Sequence, residues 1–352
     1  VKVKLALLVA ALQVLVLAFM GGQREWIMRT GTPLTLRTAP VDPNDPMRGA
    51  YVRLDYEIST VPAALCRGET AKWTKTSDYR EQQKLRDRVV YAAVGVSAYG
   101  LAELKSLSDT EPVSGPFLRG RVVSADTNGV HVRYGIEALF MNKEAARRME
   151  AMRNEKAGAP MDVTVAVGSS GIAVLKNTAW EPLGITFAID RPPQRQPRTP
   201  GQQWQPQVLT GLTVTLHNYG DKDLAIVNLP EAKSFRLVPN TRFAGNHYTC
   251  AGEKSADVPT PTADDIIVLK PGAKHDVHLD LTQPQWWIAD TRKPDSEPIP
   301  LQKVPQADGW STSFRLEYAP PTADTVRGLP HADLIRHAPL RSRAFNANQG
   351  VD

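Results

Sequence analysis

The stretch Thr38-Ala-Pro-Val-Asp-Pro-Asn-Asp-Pro-Met-Arg-Gly-Ala-Tyr-Val-Arg-Leu-Asp-Tyr-Glu-Ile-Ser59 decides how this chain is read. Its first half is stiff. Pro43 and Pro46 fix φ, and Asp42, Asn44 and Asp45 are residue types that close turns through their own side chains. Arg48-Gly49 ends the turn region, where Gly49 tolerates a left-handed backbone. From Tyr51 the pattern alternates. Val52, Leu54, Tyr56 and Ile58 share one face, and Tyr51, Arg53, Asp55 and Glu57 share the other. The stretch therefore predicts a rigid turn that launches one half-buried β-strand.

Toward the amino terminus, Lys2 and Lys4 precede an apolar run from Leu5 to Met20 that only Gln13 interrupts. With its flanks the run is long enough for a bilayer core of about 30 Å, and the leading lysines orient everything after it for export. We read residues 1–23 as an uncleaved signal anchor. The alternative is a cleaved leader, whose best site is Val16-Leu17-Ala18 within the apolar run. Trp26 follows where an interfacial aromatic would sit at headgroup level. No second run of this length occurs in the sequence, so the expectation is a single-pass inner-membrane protein of a bacterium with its bulk periplasmic.

Beyond Ser59 the strand signals dominate. Val89–Val96 is an apolar run of strand length, and 117–124 with 130–134 reads as a hairpin around Asn128-Gly129. Asn142 is a candidate N-cap for a helix stopped by Gly158 and Pro160, with Ala145, Met149 and Met152 as its expected core stripe. Met161–Val167 and Ile172–Lys176 form a second hairpin around Gly168-Ser-Ser-Gly171. A Pro/Gln/Arg-rich stretch over 191–203 then reads as an extended linker. After it the pattern is all β. It includes a strand at 265–269, a Pro271-Gly272 turn and a returning strand at 274–281.

The predicted fold class is mainly β: an N-terminal transmembrane helix, a β-rich α+β domain, then an immunoglobulin-like β-sandwich. The expected boundaries are 1–23 for the anchor, 24–184 for the first domain, 185–206 for the linker and 207–352 for the sandwich. The formal net charge of +5 is small beside 42 basic and 37 acidic residues, and no run of five Lys/Arg appears, which argues against nucleic acid. Cys66 and Cys250 permit one disulfide in an exported protein; two separate buried thiols are the alternative.

Pro40-Val-Asp-Pro43 followed by Arg48-Gly-Ala-Tyr-Val-Arg-Leu-Asp-Tyr56 resembles the GDYXXLXY family of bacterial membrane-anchored proteins. The resemblance continues through Gly120-Arg-Val122, Tyr134-Gly-Ile-Glu137 and the 161–176 hairpin, covering about residues 26–180. It marks Asp42, Pro43, Asp45, Arg48, Gly49, Tyr51, Leu54 and Tyr56 as the motif positions. One departure stands out: the name expects Gly-Asp-Tyr, and this chain has Gly49-Ala50-Tyr51. The family carries no established reaction. It implies an envelope protein encoded beside polytopic membrane proteins, and hence a membrane-protein or envelope partner.

Chemistry-bearing candidates are few. Asp42, Asp45, Arg48, Asp55 and Glu57 could do acid–base work in a hydrolase, but as turn caps and an outward strand face they need no such role. In His275-Asp276-Val277-His278-Leu279-Asp280 the histidines fall on opposite strand faces, which argues against a shared metal. Trp286-Trp287 is the ligand candidate, since adjacent tryptophans on a strand cannot both enter one core. No cofactor is expected. The leading expectation is a non-enzymatic envelope interaction or assembly protein; the alternatives are a carbohydrate- or peptidoglycan-binding module and a carboxylate-dependent hydrolase.

Overall fold

The structure is a computed structural model that describes all residues except 1, 40–50, 76–77, 191–208, 241–247, 251–257, 294, 305–311 and 347–352. The chain is mainly β and divides into two compact units. One comprises Val1–Ala146 with Met161–Ala179, the other Arg147–Pro160 with Trp180–Asp352.

The first unit begins with α1 (Lys2–Thr30), followed after Gly31 by β1 (Thr32–Arg37). Then come β2 (Tyr51–Arg53), β3 (Thr60–Pro62), α2 (Glu69–Trp73), α3 (Tyr79–Lys84), β4 (Val89–Val96), β5 (Ala102–Ser108), β6 (Phe117–Asp126), β7 (Gly129–Arg133) and β8 (Ala138–Phe140). After α4 (Lys143–Glu155) the chain returns with β9 (Met161–Val167) and β10 (Ala173–Trp180). A five-stranded sheet runs β3-β7-β6-β4-β5, a three-stranded one β1-β9-β10, and among the described residues β2 pairs with β8 alone. The core lies on the alternating faces: Val90, Ala92, Leu118, Val122, Val130 and Val163 are fully buried. Each of the valines and the leucine among them contributes roughly 1.5–3 kcal/mol by leaving water.

The strand expected from Tyr51 is shorter than its pattern. Only Tyr51–Arg53 is strand, paired to Ala138–Phe140; Glu57–Ser59 is a 3₁₀ turn before β3. Burial still alternates, with Leu54, Tyr56 and Ile58 inside and Asp55 and Glu57 half-buried between them. The side-chain pattern recorded burial and not a ladder, because Leu54 N–H bonds the Glu137 carbonyl and Thr38 bridges Tyr56 singly.

The methionine stripe is corrected. Asn142 caps α4 as expected, its Oδ1 accepting from Ala145 N at 2.8 Å, but no residue of α4 is buried and Met152 is exposed. Two methionines among Lys143, Arg147, Arg148, Glu150 and Arg153 make too narrow an apolar stripe to require burial. What packs is the stop after the helix. Gly158 takes φ 78°, and a Cβ there would lie 2.1 Å from the Ile185 carbonyl oxygen.

The second unit continues with β11 (Leu183–Ile189), β12 (Gly211–Asn218), β13 (Leu224–Val227), β14 (Phe235–Pro239), β15 (Tyr248–Cys250), β16 (Ile266–Leu269), β17 (Lys274–Asp280), β18 (Ile288–Asp290), β19 (Ser313–Tyr318) and β20 (Leu340–Asn346). Its sheets run β11-β12-β17 and β14-β19-β20, with pairs β13-β16 and β15-β18. Residues 185–189, placed in the linker by composition, are strand paired to β12 in full antiparallel register.

Strands β16 and β17 are not a hairpin. β16 pairs with β13 and β17 with β12, so the chain changes sheets at Pro271-Gly272. Asn218, fully buried at the end of β12, explains the change. Its backbone N–H bonds Ala273 O at 3.0 Å, its carbonyl accepts from Gly272, and its Nδ2 donates to Leu269 O and Lys222 O at 2.8 Å. One apolar cluster takes Leu183, Leu212 and Val214 from the first three-stranded sheet and Leu237, Phe314 and Phe345 from the second.

Cys66 and Cys250 are both buried, one in each unit, their sulfurs 3.7 Å and 3.8 Å from Pro62 O and Gln285 O. Burial pushes the Cys66 thiol pKa up, which keeps it protonated and inert.

Candidate functional site

Of the motif positions, Asp42, Pro43, Asp45, Arg48 and Gly49 lie outside the described residues. Tyr51 contributes its backbone to the pairing with Phe140. Leu54 and Tyr56 are core. The Tyr56 hydroxyl donates to Ile136 O at 2.8 Å, and the Tyr134 hydroxyl donates back to Ile58 O at 2.9 Å. Glu137 closes the arrangement. Its Oε1 accepts from Tyr134 N and its Oε2 from Gly135 N, at 2.9 Å for the latter. Burial, then the Glu137 carboxylate, pushes both phenol pKa values far up, so each tyrosine is a fixed neutral donor. Asp55 turns its Oδ1 to the Tyr56 N–H at 3.0 Å, as a local cap does. Of the candidate acid–base residues, Asp42, Asp45 and Arg48 lie outside the described residues.

Below the motif, β1 and β9 carry a bidentate pair. Arg37, 5% exposed, donates Nε to Asp162 Oδ1 at 2.9 Å and Nη2 to Oδ2 at 3.0 Å across directly facing register positions. The same sheet receives the helix end. Ile27 is buried against Ala166, Ile172 and Val174, and Gly31 N–H bonds Ile27 O at 2.8 Å. A Cβ on Gly31 would lie 2.5 Å from that oxygen and 3.0 Å from Val167 N. Over Leu7–Thr30, α1 is long and apolar enough to cross a membrane, with a mean hydropathy of 1.6.

Residues 13–177 match the family model described as GDYXXLXY protein. The match covers somewhat under half of the chain and makes that stretch a GDYXXLXY segment. No curated protein and no solved structure matches it. The GDYXXLXY segment thus ends at β10, and the second unit from Trp180 lies outside it.

That second unit holds a cleft of about 700 Å³. It is lined by Asn228, Glu231, His278, Asp280, Gln283 and Trp286, with Leu229 and Pro284 among its apolar lining. Trp286 and Trp287 are not on a strand. Trp286 ends a 3₁₀ turn, Pro284–Trp286, and is 2% exposed; Trp287 is half-buried and donates Nε1 to Thr282 O at 3.3 Å. The indole N–H of Trp286 and the Oδ1 of Asn228 are buried and have no hydrogen-bond partner among the described residues. His275 and His278 do fall on opposite faces, half-buried and exposed respectively; His278 Nδ1 lies 3.3 Å from Asp190 Oδ2.

The rim is locked. Glu231 and Ala232 both hold φ near 55°, a left-handed conformation that costs non-glycine residues of order 1–2 kcal/mol each. Gln285 Nε2 donates to Glu231 O at 2.9 Å, and buried Ser234 Oγ accepts from Leu229 N at 2.9 Å. Opposite, Asp280 accepts from Thr282 Oγ1 at 2.6 Å, Gln283 Nε2 at 2.8 Å and Thr282 N at 3.0 Å. Those hydrogen bonds, the Thr282 hydroxyl foremost, hold its pKa down at about 2, so it is a carboxylate at any physiological pH. Sequence reasoning reached Trp286 but missed Asn228, Glu231, Asp280 and Gln283. The available signal was local: Asp280-Leu-Thr-Gln283 is a side-chain-capped turn, and nothing in it points to Asn228.

Proposed function

We propose that this protein is a non-enzymatic, membrane-anchored assembly component of the cell envelope, with both units on the extracytoplasmic side of a bacterial inner membrane. The observation that carries this reading is the junction at Ile27 and Gly31. The apolar helix runs without a linker into β1 and packs Ile27 into the β9–β10 hairpin. A first unit built this way has a fixed orientation to its helix, which suits a part that must present one surface to a neighbour in the same membrane. Lys2 and Lys4 ahead of the helix favour the extracytoplasmic side for the chain beyond it. The second unit fits an immunoglobulin-like sandwich, a common interaction module, because two three-stranded sheets share one apolar cluster and the chain switches sheets between β16 and β17.

The test is affinity purification from detergent-solubilised membranes after mild crosslinking, for the native chain and for one carrying a flexible Gly-Ser insertion between Thr30 and Gly31. An integral-membrane partner should accompany the native chain and be lost with the insertion while the protein stays in the membrane fraction. Recovery of the native chain alone, or equal recovery from both, counts against the reading.

A further inference from the structure

We propose that the Gln13 side of α1 binds a transmembrane helix of another protein, one that carries a hydroxyl or carboxamide side chain at mid-bilayer depth. This deepens the proposed function and rests on its membrane reading. From Leu5 to Gly22 the helix runs 18 residues (22 − 5 + 1) without an ionisable side chain. At 1.5 Å per residue, Gln13 stands about 12 Å from one end of that stretch and about 14 Å from the other, close to the midplane. It is the one side chain there with N–H or O–H groups, and its carboxamide offers two donors and an acceptor. Gln13 is exposed, and among the described residues no hydrogen bond involves its side chain. None of the apolar window is buried against the chain itself. From the midplane a glutamine is too short to reach either interface, and hydrocarbon offers no partner. A neutral polar side chain on a neighbouring helix at the same depth meets the carboxamide; a charged one would add its own burial cost.

Ile27 fixes the side. Gln13 and Ile27 are 14 positions apart (27 − 13), about 3.9 turns, which puts them within about 40° of each other around the helix. Ile27 is 5% exposed against the β9–β10 hairpin, and a Cβ on Gly168 would lie 2.9 Å from its Cγ1. The polar side chain in the bilayer and the sheet beyond it therefore share one side of α1. A helix docked on Gln13 ends beneath that sheet, so a single partner can touch both. The same alignment disfavours a second copy: in a two-fold pair through Gln13, both hairpins would claim the space between the helices. Val9 and Leu17 stand one turn either side of Gln13, whereas Leu8 and Leu15 point the other way; all four are exposed.

The experiment places the photocrosslinking residue p-benzoylphenylalanine in the full chain in its native host membrane, at Val9 or Leu17 and, for comparison, at Leu8 or Leu15. Val9 and Leu17 should give an adduct with one other membrane protein, and Leu8 and Leu15 several-fold less. Gln13→Leu should lower that adduct about three- to fifteen-fold, the range an interhelical hydrogen bond supports. Gln13→Asn keeps the carboxamide and should retain most of the adduct. Equal yields from the two sides overturn the proposal, as does a yield that Gln13→Leu leaves unchanged or that Gln13→Asn lowers equally. An adduct of the chain with itself overturns it in favour of a homodimer. Carbonate extraction separates the proposal from the membrane reading. A chain released by carbonate overturns both; a chain retained without a side-specific adduct overturns this proposal alone.

Discussion

Tyr56 and Tyr134 hold each other's segments: one hydroxyl donates to the Ile136 carbonyl at 2.8 Å, the other to that of Ile58 at 2.9 Å. The two bonds close a ring between the end of the motif and the turn after β7. Each replacement by Phe removes the donor to a carbonyl in this ring and should cost about 1–2 kcal/mol in urea unfolding of the full chain. The double variant should depart from additivity by about 0.5 kcal/mol or more, because both bonds fix the same pair of segments. Single costs inside the about 0.5 kcal/mol of ordinary surface changes would show that the ring does not bind the fold.

The helix junction makes a second prediction. Gly31→Ala puts a methyl group against the Ile27 and Val167 backbone, neither of which is a flexible side-chain end. Ile27→Ala removes the anchor of a small cluster and should cost about 2 kcal/mol, the low end for such truncations. Both variants should expose Thr30–Thr32 to limited proteolysis in detergent. Resistance equal to the native chain would mean that the helix and sheet are held together elsewhere.

His131 gives the pH dependence. It faces Thr60 Oγ1 at 3.4 Å, with the Arg53 charge and the opposing Glu137 carboxylate nearby. Burial first, then Arg53, lowers its pKa below the ordinary value, so the folded chain keeps the ring neutral where the unfolded chain protonates it. Its contribution is complete above about pH 6.5 and is lost as pH falls through the lowered folded value. Melting temperature should drop from about pH 7 to pH 5, and His131→Asn should flatten that slope. An identical slope in the variant assigns the effect to other groups.

Glu317 is fully buried on β19, flanked at register positions by Arg236 on β14 and Arg341 on β20. Both arginines donate Nε to it at 2.6 Å, and both are partly exposed. Removing the carboxylate frees two guanidinium groups that can reach water. Removing both arginines strands a buried charge. Arg236→Met with Arg341→Met should therefore cost about 3–5 kcal/mol, clearly more than Glu317→Leu. Chemical denaturation that ranks them the other way would locate the stability in the arginine stems and not in the charge.

Much of the strand inventory was legible because burial leaves a period in the sequence. Val89–Val96, the 117–133 hairpin and the 161–180 hairpin all stand where apolar alternation and Gly-rich turns put them. Legibility failed where the deciding partner was distant. Nothing around Pro271-Gly272 reveals that Asn218 captures that turn and sends β17 to another sheet. Nothing in Met149 and Met152 reveals that neither is buried. The cleft is the same case: Asn228 and Trp286 belong to one lining although 58 positions separate them in the chain (286 − 228).

By itself the sequence determined the apolar helix, the mainly β class, the family of the first unit and the inward set Leu54, Tyr56 and Ile58. These follow from local periodicity and motif spacing, which each residue carries with it. Only the tertiary structure decided that Tyr56 is answered by Tyr134 and that the helix end is wedged into β9 through Ile27 and Gly31. Hydrogen bonds and close approaches join residues across long loops, and their partners are chosen by packing that no local pattern encodes.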